Sequence, residues 1–258
     1  MKKQLTLLIV AASLLLATCK KKSGSDEPEV KPVKLLSRII EVGGFPTPTT
    51  TFRIYTYDEK KRISTIKIGG TTTITYSYHG DELFSVETKF DDKKYVAEVT
   101  YENGRPVSVV YKLYEGGDLK TQTKKGFLYT GDKITEAHLN ESGTVMQKTF
   151  YRYSGDNVVG IDTESDFVLK QDLTYGTKKS IYYNSRLKYN ISIEGFDRFS
   201  ANDLLSSLRK YDNGAELREK NTYTYDDDGF PVTLLKEYTN ESGMSAGTYR
   251  YTYEYKTY

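Results

Sequence analysis

The chain has 258 residues, with 37 Lys and Arg against 35 Asp and Glu, two His, one Cys and no Trp. A single cysteine excludes an internal disulfide and a cysteine-cluster zinc site, and a formal net charge of +2 gives no electrostatic case for nucleic acid or an anionic membrane surface. Only 37% of the residues are hydrophobic and 24 residues are Tyr, so any core must use phenol rings heavily.

In chain order, Met1-Lys2-Lys3 is a basic start, and Leu5 to Leu16 is apolar apart from Thr6 and Ser13. Ala17-Thr18-Cys19 follows as a zone of small residues. This is the pattern of a secretory signal peptide. The run is too short for a good spanning helix, which needs about 20 apolar residues. The segment resembles a bacterial lipoprotein signal with its lipobox. That resemblance implies removal of residues 1–18, lipidation of Cys19 and, with Lys20 rather than Asp next, sorting to the outer membrane. Loss of Lys2 and Lys3 leaves 35 basic and 35 acidic side chains. Residues 19–33 are polar and Pro-containing and read as a lipidated flexible tether.

From residue 34 onward the chain is repetitive. Tyr78, Tyr129 and Tyr153 are each followed by Gly-Asp and then by apolar residues three apart: Leu83 and Val86, Ile134 and Ala137, Val158 and Ile161. An aromatic lies two residues before each Tyr, on the same strand face: Tyr76, Phe127 and Tyr151. Gly-Asp supplies the turn. A longer variant starts at Tyr55-Thr56-Tyr57-Asp58 and again at Tyr223-Thr224-Tyr225-Asp226, and Gly104-Arg105-Pro106-Val107 matches Gly229-Phe230-Pro231-Val232. Between these turns falls a second set, which includes Gly69-Gly70, Gly116-Gly117 and the recurring Asn140-Glu141-Ser142-Gly143 and Asn240-Glu241-Ser242-Gly243. Turns therefore alternate between two rows, separated by strand-sized segments. The spacing predicts an all-β, up-and-down antiparallel meander of about 14–17 strands over residues 34–258.

The Tyr55 and Tyr223 units resemble the tyrosine-aspartate repeats of RHS-type proteins. Residues 34–258 also resemble a family of bacterial lipoproteins of unknown function described as porin-like in fold. That resemblance implies a barrel-like meander and no particular activity.

The face chemistry argues against a membrane-spanning barrel. From Tyr249 to Lys256 one face is all Tyr and the other is Arg, Thr, Glu and Lys, and charge at a bilayer midplane costs about 2–4 kcal/mol per residue. A water-soluble barrel or rolled sheet with its tyrosines inside is expected.

If the meander is unbroken, residues 176–203 leave and return on one rim. That length exceeds a plain loop, so the segment should hold a hairpin or a short helix, with Ser200 to Leu205 as a candidate helix start. Its Tyr182, Tyr183, Arg186 and Arg198 are the candidate ligand-binding residues. A plug whose aromatics fill the barrel mouth is the commoner use of such residues.

Other chemistry is weakly supported. His79 and His138 are isolated, and the metal case is weak. The consecutive Asp226, Asp227 and Asp228 suit a solvated hairpin turn better than a calcium loop. No nucleophile elbow, phosphate loop or zinc-protease motif occurs, so no catalytic residue and no cofactor are expected. The expected role is non-catalytic binding or scaffolding at the cell envelope. The expected partners are the membrane through the anchor and an envelope protein or glycan. A glycan- or nutrient-binding accessory and a glycan hydrolase are the alternatives.

Overall fold

The computed structural model describes residues 32–44, 47–165, 168–184 and 200–258. The expected signal peptide, Cys19 and all of the tether but its last two residues lie outside them. Val33–Tyr258 forms one compact unit. Its strands are β1 (Lys34–Gly43), β2 (Thr49–Tyr57), β3 (Ile63–Ile68), β4 (Thr72–His79), β5 (Glu82–Phe90), β6 (Lys93–Glu102), β7 (Arg105–Glu115) and β8 (Asp118–Thr130). They continue as β9 (Lys133–Glu141), β10 (Thr144–Ser154), β11 (Asn157–Glu164), β12 (Val168–Lys179), β13 (Asn202–Tyr211), β14 (Glu216–Tyr225), β15 (Pro231–Asn240) and β16 (Ser245–Thr257). Each strand pairs antiparallel with its sequence neighbours, and β1 pairs with β16, with Ile39 opposite Tyr253. The meander therefore closes into a barrel, and the open rolled sheet is excluded. The tyrosines lie inside as expected: Tyr253 is buried and Tyr251 and Tyr255 half-buried, while Arg250, Thr252 and Glu254 are exposed.

The repeat has a structural cause at the first row of turns. In six hairpins the outgoing strand carries one extra residue opposite its partner: Ser64, Phe84, Val107, Thr135, Val159 and Val232. Residues three apart on a regular strand face opposite sides. The extra residue resets the alternation, so both apolar residues of each repeat turn inward. Ile63 and Ile66, Leu83 and Val86, and Ile134 and Ala137 are all buried.

The repeated Tyr completes the unit. Tyr57 donates its hydroxyl hydrogen bond to Leu36 O (2.6 Å), Tyr78 to Ile63 O (2.8 Å), Tyr129 to Pro106 O (2.6 Å), Tyr153 to Ile134 O (2.9 Å) and Tyr255 to Pro231 O (2.9 Å). Each accepting carbonyl lies in the preceding strand, beyond its last paired position with the Tyr strand. The phenol thus satisfies a rim carbonyl that the ladder leaves over. A cation covers several of these rings. Arg62 lies 4.0 Å from the Tyr78 centroid and donates to Gly80 O, and Arg105 and Lys133 repeat the arrangement over Tyr129 and Tyr153. In the longer turns the Asp accepts turn amides: Asp58 that of Arg62 (2.9 Å), together with the Arg62 guanidinium Nε (2.8 Å), and Asp226 those of Asp228 and Phe230 (3.0 Å each). Burial alone would raise the Asp58 pKa, but the bonds from Arg62 outweigh it and lower it.

The rim connection is shorter than the expected 176–203 insert. β12 continues to Lys179 and β13 starts at Asn202, so residues 180–201 connect them. Asp203 fixes this seam. Its buried carboxylate accepts from Lys178 N (2.9 Å) and from the Tyr225 hydroxyl. A Cβ at position 176 would stand 2.6 Å from that carboxylate, so Gly176 is needed there. The expected helix start at Ser200 to Leu205 is likewise replaced by strand. Ser200 Oγ accepts from Val158 N (3.3 Å) instead of capping a helix, and Asp203 bonds across strands rather than to a first helical turn.

Candidate functional site

Sixteen strands can enclose an aqueous channel, but here the first-row half of the lumen is packed. Inward residues Ile63, Ile66, Val109 and Val158 are at most 1% exposed. Tyr182, from the 180–201 connection, adds to this filling. Its hydroxyl lies 2.9 Å from that of Tyr55, with the rings 6.2 Å apart. A turn bond from Tyr183 N to Ser180 O (3.1 Å) and a bond from Asn184 Nδ2 to Lys34 O (3.0 Å) hold the segment against β1. Tyr183 points the other way. It is 52% exposed, with Lys179 Nζ 5.5 Å from its ring. The structure therefore separates the two tyrosines instead of joining them in one site. Arg186 and Arg198 lie outside the described residues.

Tyr182 roofs a pocket of 320 Å3 inside the barrel, between β13–β16 on one side and β1 and β2 on the other. Its polar groups include Arg53, Asp203, Asn221 and Lys236, set among Tyr223, Tyr251 and Tyr253. The charges are paired. Lys236 lies 3.1 Å from Glu219, which also accepts from Asn221 Nδ2 (2.8 Å) and Ser207 Oγ (3.4 Å), and Arg53 lies 3.2 Å from Glu41. Burial opposes the charge on Lys236, but Glu219 and the neighbouring Tyr238 and Tyr251 outweigh it and raise its pKa. Burial also pushes Tyr251 up to about 12. Tyr251 is shared with an adjoining cleft that includes Glu41, Arg209, Tyr238 and Tyr249, which continues the polar half toward the second-row mouth.

None of Arg53, Asn221, Glu219 or Lys236 was singled out by the sequence, since they come from three strands and share no motif. The one available signal is alternation. A Lys or Glu on the Tyr face of a strand is an inward charge.

His138, which looked isolated, bonds to Glu136 two residues away on the outer face. Among the described residues no three His, Cys, Asp or Glu side chains come together to hold a metal. The Asp226–Asp228 turn is engaged by Lys34, which bonds Asp226 and lies 3.2 Å from Asp228.

A porin-like protein from Bacteroides uniformis superposes with a TM-score of 0.55 at 16% identity, covering 86% of this chain and 98% of that one. The architecture is shared with porin-like proteins. A second, from Bacteroides vulgatus, superposes with a TM-score of 0.54 at 12% identity, covering 87% and 99%. At these identities the likeness concerns the fold alone. No protein-family model matches the chain, and no curated protein matches it.

Proposed function

We propose that the protein is a lipid-anchored, non-catalytic β-barrel of the bacterial outer membrane that binds a small hydroxyl-rich ligand, such as a sugar unit, in the polar half of its lumen. The observation that carries this reading is the pocket under Tyr182. Aromatic faces, an amide and fully paired charges converge there, which suits a neutral ligand with many hydrogen-bonding groups. Both buried carboxylates nearby are committed, Asp203 to Lys178 N and Tyr225, Glu219 to Lys236, Asn221 and Ser207. Neither is free to act as general acid or base, which favours binding over hydrolysis. The anchor reading rests on the Cys19 pattern, and the envelope location on that pattern together with the porin-like fold. The outer face carries charge pairs such as Lys112 with Glu98 (2.7 Å) and Arg152 with Asp172 (2.8 Å). These favour a barrel held at the membrane by its lipid rather than one embedded in it.

The test is thermal melting of the mature protein against a panel of sugars. A ligand at 100 times its Kd adds about 2.7 kcal/mol of stability. One sugar class should raise Tm, and Asn221→Ala should abolish the rise while Tyr183→Ala leaves it intact. No shift with any sugar, or a shift that Asn221→Ala retains, contradicts the reading. Exposed Tyr183 beside Lys179 favours a second reading, a protein-docking rim. Crosslinking in native membranes should then capture a partner that Tyr183→Ala releases.

A further inference from the structure

The cleft that adjoins the polar pocket, of 390 Å3, holds a cation that the fold does not use. Arg209 lines it with Glu41, Tyr238, Tyr249 and Tyr251, and Tyr251 is also a wall of the pocket. The strand register puts Arg209 there. It lies two residues after Ser207, whose buried hydroxyl meets Glu219 inside the barrel, and residues two apart on a strand share a face. Leu217, opposite Arg209 on β14, lines the same cleft.

The acids around Arg209 have other partners. Glu41 is engaged by Arg53, and Glu219 by Lys236, Asn221 and Ser207. Glu216, beside Leu217, pairs with Lys210 and Arg218 on the outer face. Among the described residues the half-buried Arg209 guanidinium takes part in no ion pair and no hydrogen bond. Its field nevertheless reaches the cleft wall: burial raises the Tyr238 pKa, and the charges of Lys236 and Arg209 oppose that rise.

The space beside this cation is open and walled by rings. Tyr249 rests against Gly43, where a Cβ would stand 2.4 Å from the ring, and Tyr238 faces Gly247 across the β15–β16 pair. The two rings meet edge-on with centroids 5.9 Å apart. Across the lumen the chemistry changes. Ile68, Ile74, Val86, Ala97, Tyr111 and Leu113 wall an apolar cleft of 420 Å3. A charged or hydroxyl-bearing group loses hydrogen bonds there, so a polar ligand is confined to the Arg209 side.

We propose, on the footing of the sugar pocket above, that its ligand is a uronate, with the sugar ring on Tyr251 and the carboxylate bound by Arg209. A ring lying on Tyr251 has the pocket on one side and the Arg209 cleft on the other. The hydroxyls then meet the paired, neutral half of the site, and the acid meets its unpaired cation. A guanidinium is always charged, and its planar fork matches a carboxylate with two parallel bonds. A singly charged carboxylate suits the cleft better than a phosphate, because Glu41 lines the same cleft and repels a second negative charge.

Titration calorimetry of the mature protein with glucose, galactose and mannose, each against its uronate, tests this. At least one uronate should bind ten-fold or more tightly than its parent hexose. Arg209→Gln should erase that advantage while the hexose binds as in the wild type. Arg209 has no partner in the fold, so the variant should keep its Tm, and loss of fold does not explain the loss of binding. Arg209→Lys keeps the charge without the fork and should retain part of the advantage. A hexose that binds with no gain from its uronate, or a gain that Arg209→Gln retains, overturns the uronate assignment and leaves the pocket reading standing. Failure of every hexose and every uronate to bind the folded protein overturns both.

Discussion

In β15 the inward sequence from the first row runs Pro231, Leu234, Lys236; in β3 it runs Ile63, Ile66, Ile68. The first two positions of this series are apolar in both strands and build the packed half of the barrel. The third position differs. Lys236 belongs to the buried ion pair of the polar pocket, and Ile68 to the wall of the apolar cleft. The same hairpin unit therefore serves both halves of the lumen. The bulge and the rim Tyr are what the unit repeats, and the position five residues after each strand's first inward residue is where the two halves part.

The largest effects should come from breaking this contrast on the polar side. Glu219→Ala leaves Lys236 buried without its counter-ion and should cost about 3–5 kcal/mol in denaturant unfolding. Replacing Glu219 and Lys236 together by Leu should recover most of that loss, because no uncompensated charge remains. On the packed side, Ile66→Ala should cost about 2–4 kcal/mol through the cavity it opens, in a position only 1% exposed. The shared rim should respond least. Tyr78→Phe and Tyr255→Phe each remove one hydroxyl-to-carbonyl bond and should cost about 1 kcal/mol apiece, nearly additively, since the two sites share no partner.

Alkali probes both halves together. Burial pushes Tyr111, in the apolar cleft, and Tyr251, beside the polar pocket, up to about 12. In an unfolded chain Tyr ionises near pH ~10. With the folded pKa raised, the stability these groups contribute is complete below that value and is lost as pH rises from about 10 toward 12. Phenolate absorbance should therefore rise together with the loss of tertiary circular dichroism in that window. Early ionisation of these tyrosines in a still-folded barrel would place them in contact with solvent.

Much of the architecture was legible because turns and alternation are local. The two rows of turns and the Tyr face were readable from residues such as Gly80-Asp81 and Tyr249 to Tyr255, whereas closure was not, because the choice between barrel and rolled sheet rests on the pairing of β1 with β16 at opposite ends of the chain. The spacing of Leu83 to Val86 was visible, but its meaning was not, because the bulge at Phe84 is a property of pairing with β4. The seam at Gly176 and Asp203 was misread for the same reason. The Ser200 to Asp203 pattern matches a helix start, and a contact with another strand decides otherwise. The site was least legible. Arg53 and Lys236 are far apart in the chain and meet only because β1 pairs with β16. Tyr182 and Tyr183 are adjacent in sequence, yet one turns into the lumen and the other to solvent.

The central claim, that the polar half of the lumen is a binding site, is tested most directly by a crystal structure of the mature protein with the sugar that raises its Tm most. The account predicts ligand density beneath Tyr182, bonded to Asn221 and Lys236 and lying on the Tyr251 ring. Density confined to the outer face or to the rim beside Tyr183, with the lumen pocket closed to the ligand, would contradict it.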